Sequence, residues 1–292
     1  MGHGAPAPMI SVRMRGASGP QSAGIASMSA PITLEVFVGL LMFAAVFAPL
    51  ERLFPARRQP ALRRGWRTDI VYYVTGCFVG HLSDAICLGS LLILRHSTGW
   101  GFGYFAARQP GWLQFIEILL LADFLAYWFH RALHRTPALW RLHRVHHTSE
   151  HMDWLANVRL HPLDKVLGDC FQFIPIFLLG FGNGPMFAYT LLLAFQGFLN
   201  HSNVRLNYGP LRWVIAGPAF HHWHHSNDPE FHDRNFAPHF VFCDLLFGTA
   251  YIPPFPREPE TFGVAEPLPR DFMGQMISPF RRTASGMMED TR

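Results

Sequence analysis

Apolar side chains run in long blocks separated by short polar or basic stretches. The first block covers 32 to about 50, the second 70–94 and the third 112–129. Each is long enough, as a helix, to cross a hydrocarbon layer of about 30 Å. Two shorter blocks, 166–181 and 186–199, flank the turn signal Gly182-Asn183-Gly184-Pro185. They are short for independent spans, so a re-entrant or tilted hairpin and two full crossings both stay open. Either arrangement returns the chain to the side it left. The pattern predicts an all-α fold: a multi-pass transmembrane helical bundle with about four to five membrane-embedded helices.

Polar residues orient this bundle. Arg57, Arg58, Arg63, Arg64 and Arg67 crowd the loop between the first two blocks, and the positive-inside bias places that loop in the cytoplasm. The second span then runs outward and the third returns. His81 and Asp84 share a face of the second span, as an interhelical contact or as a functional pair. In the third, Asp123, Tyr127, His130 and His134 form one stripe leading from the bilayer toward the cytoplasmic face. An intramembrane carboxylate needs a partner, and Asp123 is expected to accept a hydrogen bond from the far nitrogen of a metal-bound imidazole. Pairing with a neighbouring helix is the alternative.

Histidines dominate the polar end. His130 and His134 lie four apart; His143, His146 and His147 stand at i, i+3 and i+4; His221, His224 and His225 repeat that spacing. Pro137 is expected to break the third helix, and a new one over 139–148 to carry the second box on a single face. With an even number of crossings between the second and third boxes, all three boxes and His201 emerge beside the basic loop, as a cytoplasmic-side, histidine-lined helical cap. Neutral imidazole is a common ligand of iron, zinc, copper and nickel, and one first-row ion takes roughly four to six ligands, so eight or nine histidines suggest two ions. Nearby carboxylates, Asp123, Glu150, Asp153 and Asp228, are candidates to support them, as are Asn200 and His222. His161 is a possible further ligand, whereas His151, His232 and His239 read as loop or surface residues.

Composition agrees with a membrane protein: half the residues are hydrophobic, 15% are charged, and the net charge is +4. So small an excess is better read as topology than as a nucleic-acid surface, and no nucleic-acid partner is expected. Cys77, Cys87, Cys170 and Cys243 lack metal-site spacing and read as free thiols. Residues 1–31, rich in Gly, Ala, Pro and Ser, form an expected disordered segment, and the compositional break makes Met28 a candidate start. The membrane domain covers 32–251, with its histidine-box core at 123–249. A Pro-rich, partly disordered tail occupies 252–292, loosest from about Ser278.

Three elements together resemble a family: H-R-A-L-H, H-R-V-H-H and H-H-W-H-H, in that order; N-H-S-N at 200–203; and N-F, seven intervening residues, then D-L-L-F-G-T. They are similar to the fatty acid hydroxylase and sterol desaturase superfamily over about 123–249. The pattern is closer to bacterial members and alkylglycerol monooxygenases than to the sphingolipid fatty acid 2-hydroxylases. Where the latter add an H-x-x-x-H pair, this chain has Gly197 and His201. The resemblance implies a non-haem di-iron oxygenase that uses O2 and two electrons to hydroxylate or desaturate a lipid. The metals would be held by His130, His134, His143, His146, His147, His221, His224 and His225, with His201 as a ninth ligand. It also implies an external donor, a reduced pterin or a cytochrome or ferredoxin system, and a site on the cytoplasmic face of a bacterial inner membrane. The competing reading is a membrane metal-binding or transport protein without catalysis. A zinc protease would need H-E-x-x-H, and Arg131 stands where its general base should be.

Overall fold

A computed structural model describes residues 32–98, 106–255, 257–266 and 268–281, the side chains of Ile32 and Thr33 excepted. The expected disordered segment and Met28 lie outside the described residues, as does the end of the tail. Helix is the only regular structure among them, apart from three isolated β-bridges. Among the described residues, three helices are long and apolar enough to cross a membrane: α1 (Ile32–Leu53), α2 (Trp66–Thr98) and α3 (Gly111–Arg135).

The helix boundaries follow local chemistry. α3 continues past its apolar block, carries His130 and His134, and stops at extended Thr136; Pro137 then opens α4 (Pro137–His143). α5 (Pro162–Leu178) starts at His161, whose Nδ1 accepts the amide proton of Leu163, and has Pro162 at its first position. The reversal before α6 (Asn183–His201) falls at 179–182, where Gly180 adopts φ 70°. Asn183, Gly184 and Pro185, expected to form the turn itself, lie instead in the first turn of α6.

Neighbouring helices close a ring: α1 beside α2, α2 beside α5, α5 beside α3, α3 beside α6 and α6 beside α1. α1 completes it through Phe47, which packs with Tyr73 of α2 and Phe198 of α6. Opposite, Ile118 and Ala122 of α3 meet Ile176 and Tyr189 of the α5–α6 hairpin. His81 of α2 faces Glu35 of α1 at 3.6 Å, which makes it an interhelical contact rather than a pair with Asp84. All four cysteines are free.

The polar end forms a cap. Short 3-10 turns at His146–Thr148 and Trp154–Val158 lead into α5; α7 (Pro218–His224), α8 (Phe242–Leu246) and α9 (Phe272–Ile277) follow α6. Residues of the expected tail pack onto this cap. The Tyr72 hydroxyl and Gln275 Oε1 lie 2.8 Å apart, and Ser278 and Pro279 are buried rather than loose.

Candidate metal centre

Among the described residues, nine imidazoles converge in the cap in two groups: His130, His134, His143, His147 and His224, and His146, His201, His221 and His225. Within each, one donor atom per residue lies within 4.8 Å of every other. The groups do not follow the sequence boxes. A single helix was expected to carry the whole second box on one face, but α4 ends at His143 and a 3-10 turn takes over at His146. That break sends His147 to the first group and its neighbour His146 to the second. The third box divides likewise, with His224 in the first group and His221 and His225 in the second.

Hydrogen bonds fix which nitrogen points inward. His130 Nδ1 donates to Phe236 O (2.8 Å), His146 Nδ1 to Arg159 O (3.2 Å), His201 Nδ1 to Gly197 O (2.8 Å) and His224 Nδ1 to Arg234 O (2.7 Å). His143 Nδ1 donates to Asp164 Oδ2 at 2.8 Å. In each neutral ring Nε2 is then a bare lone pair. Yet His130 Nε2 stands 3.1 Å from His143 Nε2, and His201 Nε2 3.0 Å from His146 Nε2. Two lone pairs at that distance repel, unless a cation lies between them. Protonation is not a ready answer, because burial, reinforced by neighbouring imidazoles, holds His146, His147, His221 and His225 well below the ordinary imidazole pKa. Burial brings His224 down to about 3. In addition, Nε2 of His134, His147 and His224 is buried without a hydrogen-bond partner. Buried polar atoms in folded proteins are normally satisfied, and metal ions would satisfy these. The donor set therefore fits metal.

Carbonyls that accept from the imidazoles are themselves held in place. Asp244 accepts the amide protons of Phe236 (2.9 Å) and Ala237 (2.8 Å) and the Thr249 hydroxyl (2.6 Å), so the D-L-L-F-G-T motif anchors the loop that receives His130. Asn235, at φ 59°, ties that loop to Phe220 O and Tyr251 O. Behind His146, Arg159 pairs with Asp69 at 2.6 Å, Asp69 with Arg63 at 2.8 Å, and Arg63 with Asp153 at 2.6 Å. The sequence reading missed these supports. Asp164 and Asp69 lie far in sequence from the imidazoles they serve, and Arg63 passed for one more charge in a basic loop.

Several expected supports are placed differently. Asp123 touches no imidazole; its Oδ1 accepts the backbone amides of His239 (2.9 Å) and Phe240 (3.3 Å), and Asp164 has the role proposed for it. His161 belongs to neither group: it caps α5, and its Nε2 donates to Met276 O at 3.2 Å. Asp228 is exposed and caps the turn Pro229–Phe231. Asp153 is taken by Arg63, and Glu150 is exposed, 3.6 Å from Arg270. Asn200 donates to Pro238 O at 2.8 Å. His222 bridges Glu258 Oε2 (2.7 Å) and Ser202 O (3.1 Å), bracing the chain beside His201. His239, read as a loop or surface residue, is buried, because the bonds of Asp123 to its own and the next amide draw it inward.

A cavity of about 630 Å³ opens inside the helical ring. Phe43, Val79, Phe129 and Leu193 give it apolar walls, and His130, His143, His146, His201 and His221 line its cap end. An apolar chamber that ends on imidazoles able to hold metal is suited to redox chemistry on a hydrocarbon.

Residues 115–249, from the apolar part of α3 to Thr249, match the family model for fatty acid hydroxylase. Over these residues the chain is similar to the fatty acid hydroxylase family. The matched segment contains all nine imidazoles with Asp164, Asp244 and Thr249, while Arg63, Asp69 and α9 lie outside it. The chain is 29% identical over 250 residues to ornithine lipid hydroxylase OlsE of Rhizobium tropici, covering 83% of this chain and 74% of that protein. It is 29% identical over 160 residues to alkylglycerol monooxygenase of Xenopus tropicalis, and 31% over 130 residues to that of Homo sapiens. Those matches cover 54% and 44% of this chain, but only 33% and 28% of the two monooxygenases. No solved structure matches.

Proposed function

We propose that this chain is a membrane-bound non-haem di-iron oxygenase that hydroxylates a lipid. The observation that carries the reading is the facing of bare Nε2 lone pairs at 3.0 and 3.1 Å in two separate groups at the end of an apolar cavity. The five-membered and four-membered groups would each hold one iron ion. When bound, the irons supply O2 activation: one oxygen atom enters a C–H bond, the other leaves as water, and two electrons and two protons come from outside.

The chain's own residues do the rest. Apolar walls from α1, α2, α3, α5 and α6 hold a hydrocarbon chain and exclude water. Asp164 keeps the His143 proton on Nδ1, and the carbonyls of Phe236, Arg159, Gly197 and Arg234 do the same for four other rings. The electrons come from a partner, a cytochrome or ferredoxin system or a reduced pterin. The basic loop orients the cap toward the cytoplasm of a bacterial inner membrane. Ornithine lipid is the first substrate to test, because OlsE, by its name an ornithine lipid hydroxylase, is matched over 74% of its length.

Aerobic expression in a lipid-producing bacterium, followed by untargeted lipid mass spectrometry against a His146→Ala control, tests the reading. The expected result is a lipid gaining one oxygen in the wild type alone. A loss of two hydrogens would make the reaction a desaturation. No mass change with iron bound and reductant present would end the oxygenase reading.

A further inference from the structure

The cavity holds one charged pair that neither the fold nor the metal site explains. Lys165 Nζ donates to Asp169 Oδ2 at 2.9 Å across one turn of α5, and both side chains line the cavity at 29% and 21% exposure. A pair at this spacing on a solvated surface adds only a few tenths of a kcal/mol. Charges facing an apolar chamber cost far more, and their one mutual hydrogen bond leaves the other Nζ protons and Asp169 Oδ1 for a ligand. Asp164, the other carboxylate on the cavity wall, is already engaged by His143.

The surroundings leave room for such a partner. On the α2 wall of the cavity stand Gly76 and Gly80; a Cβ at Gly76 would meet nothing within 4 Å, and one at Gly80 only Lys165 Cε at 3.7 Å. The pair is also close to the histidines in sequence, since Lys165 follows directly on the Asp164 that holds His143.

We propose that Lys165 and Asp169 recognise the polar end of the substrate, a lipid whose headgroup carries both a carboxylate and an ammonium. The carboxylate meets Lys165, the ammonium meets Asp169, and the acyl chain follows the apolar walls. A free fatty acid engages one member of the pair and a sterol neither, so neither matches both charges. With the charged end seated beside Asp164, oxidation falls on the headgroup or the carbons nearest it rather than far along the chain. This inference rests on the lipid-oxygenase reading for its reaction but not for its binding.

Binding to metal-free protein in detergent, read by native mass spectrometry, tests it with two probes: N-palmitoyl-lysine, with a free carboxylate and a free amine, and palmitate. Wild type should favour the zwitterion by about tenfold. Lys165→Met should lose that preference. So should Lys165→Gln with Asp169→Asn, which keeps a hydrogen bond between the two positions and should leave the melting temperature unchanged. Equal binding of both probes by wild type, or a preference that survives in the neutral double variant, overturns the proposal. Lipid oxidation without the binding preference defeats this inference alone; the preference without any lipid oxidation defeats the oxygenase reading alone.

Discussion

Around His130, one imidazole is backed by the carboxylate of Asp164, and three Nε2 atoms point into the group without partners. Around His201, the backing of His146 and His201 is backbone carbonyl, and the Nε2 atoms of His146, His201, His221 and His225 stand 3.0–3.1 Å apart along a chain. The same residue type thus builds two surroundings. A carboxylate behind an imidazole raises its basicity more than a carbonyl does, so the first group should hold its ion more tightly. The second depends on where the backbone at Gly197 and Arg159 is held, and so on packing further out.

Adjacent residues give the sharpest way to break this contrast. His147→Ala should empty the first group and His146→Ala the second, each lowering iron from about two ions per chain to about one and abolishing lipid oxidation. If either change removes both ions together, the division into two groups is wrong. Asp164→Asn comes next: metal affinity in the first group should fall about 10–100-fold, with the second group unaffected, as a metal titration would read. Equal weakening of both ions would deny Asp164 its specific role.

Arg159→Met addresses the second group. It leaves Asp69 buried with half of its ionic partners gone, at a cost of about 3–5 kcal/mol measured by denaturant unfolding. The ion near His146 should be lost before the one near His130.

Acid should act on both groups alike. His224 titrates at about 3 and His225 well below its ordinary value, so between about pH 6.5 and pH 3 the unfolded chain binds more protons than the folded one. Stability is therefore present above pH 6.5 and falls as pH falls. Chelator-treated protein should melt at a lower temperature at pH 5 than at pH 7.5; a higher one would mean that the folded cap carries the protons. The smallest effect belongs to His161→Ala, which removes a helix cap worth about 1 kcal/mol and should leave both ions in place.

Much of this was legible in residue order. Helix spacing, hydrophobic blocks and Pro137 are local signals, and they located α1, α2 and α3, the end of α3 and the imidazoles that gather in the cap. Asp123 shows where that legibility stopped. Its burial and need for a partner could be inferred from its position in a span, but the partner turned out to be backbone amides at 239 and 240, more than a hundred residues away. The motif around Asp244 and Thr249 stood out before its task was known, because that task is to hold amides at 236 and 237 in three dimensions.

The chain order alone determined that this would be a helical membrane protein with histidines collected at one polar end, since apolar run length and side-chain periodicity act over a few turns. Only the tertiary structure decided which imidazoles share a group, that Asp164 rather than Asp123 backs one of them, and that Lys165 and Asp169 face the cavity. Those outcomes depend on where a 3-10 turn rotates one histidine away from the next, and on which distant backbone groups packing brings within hydrogen-bonding reach.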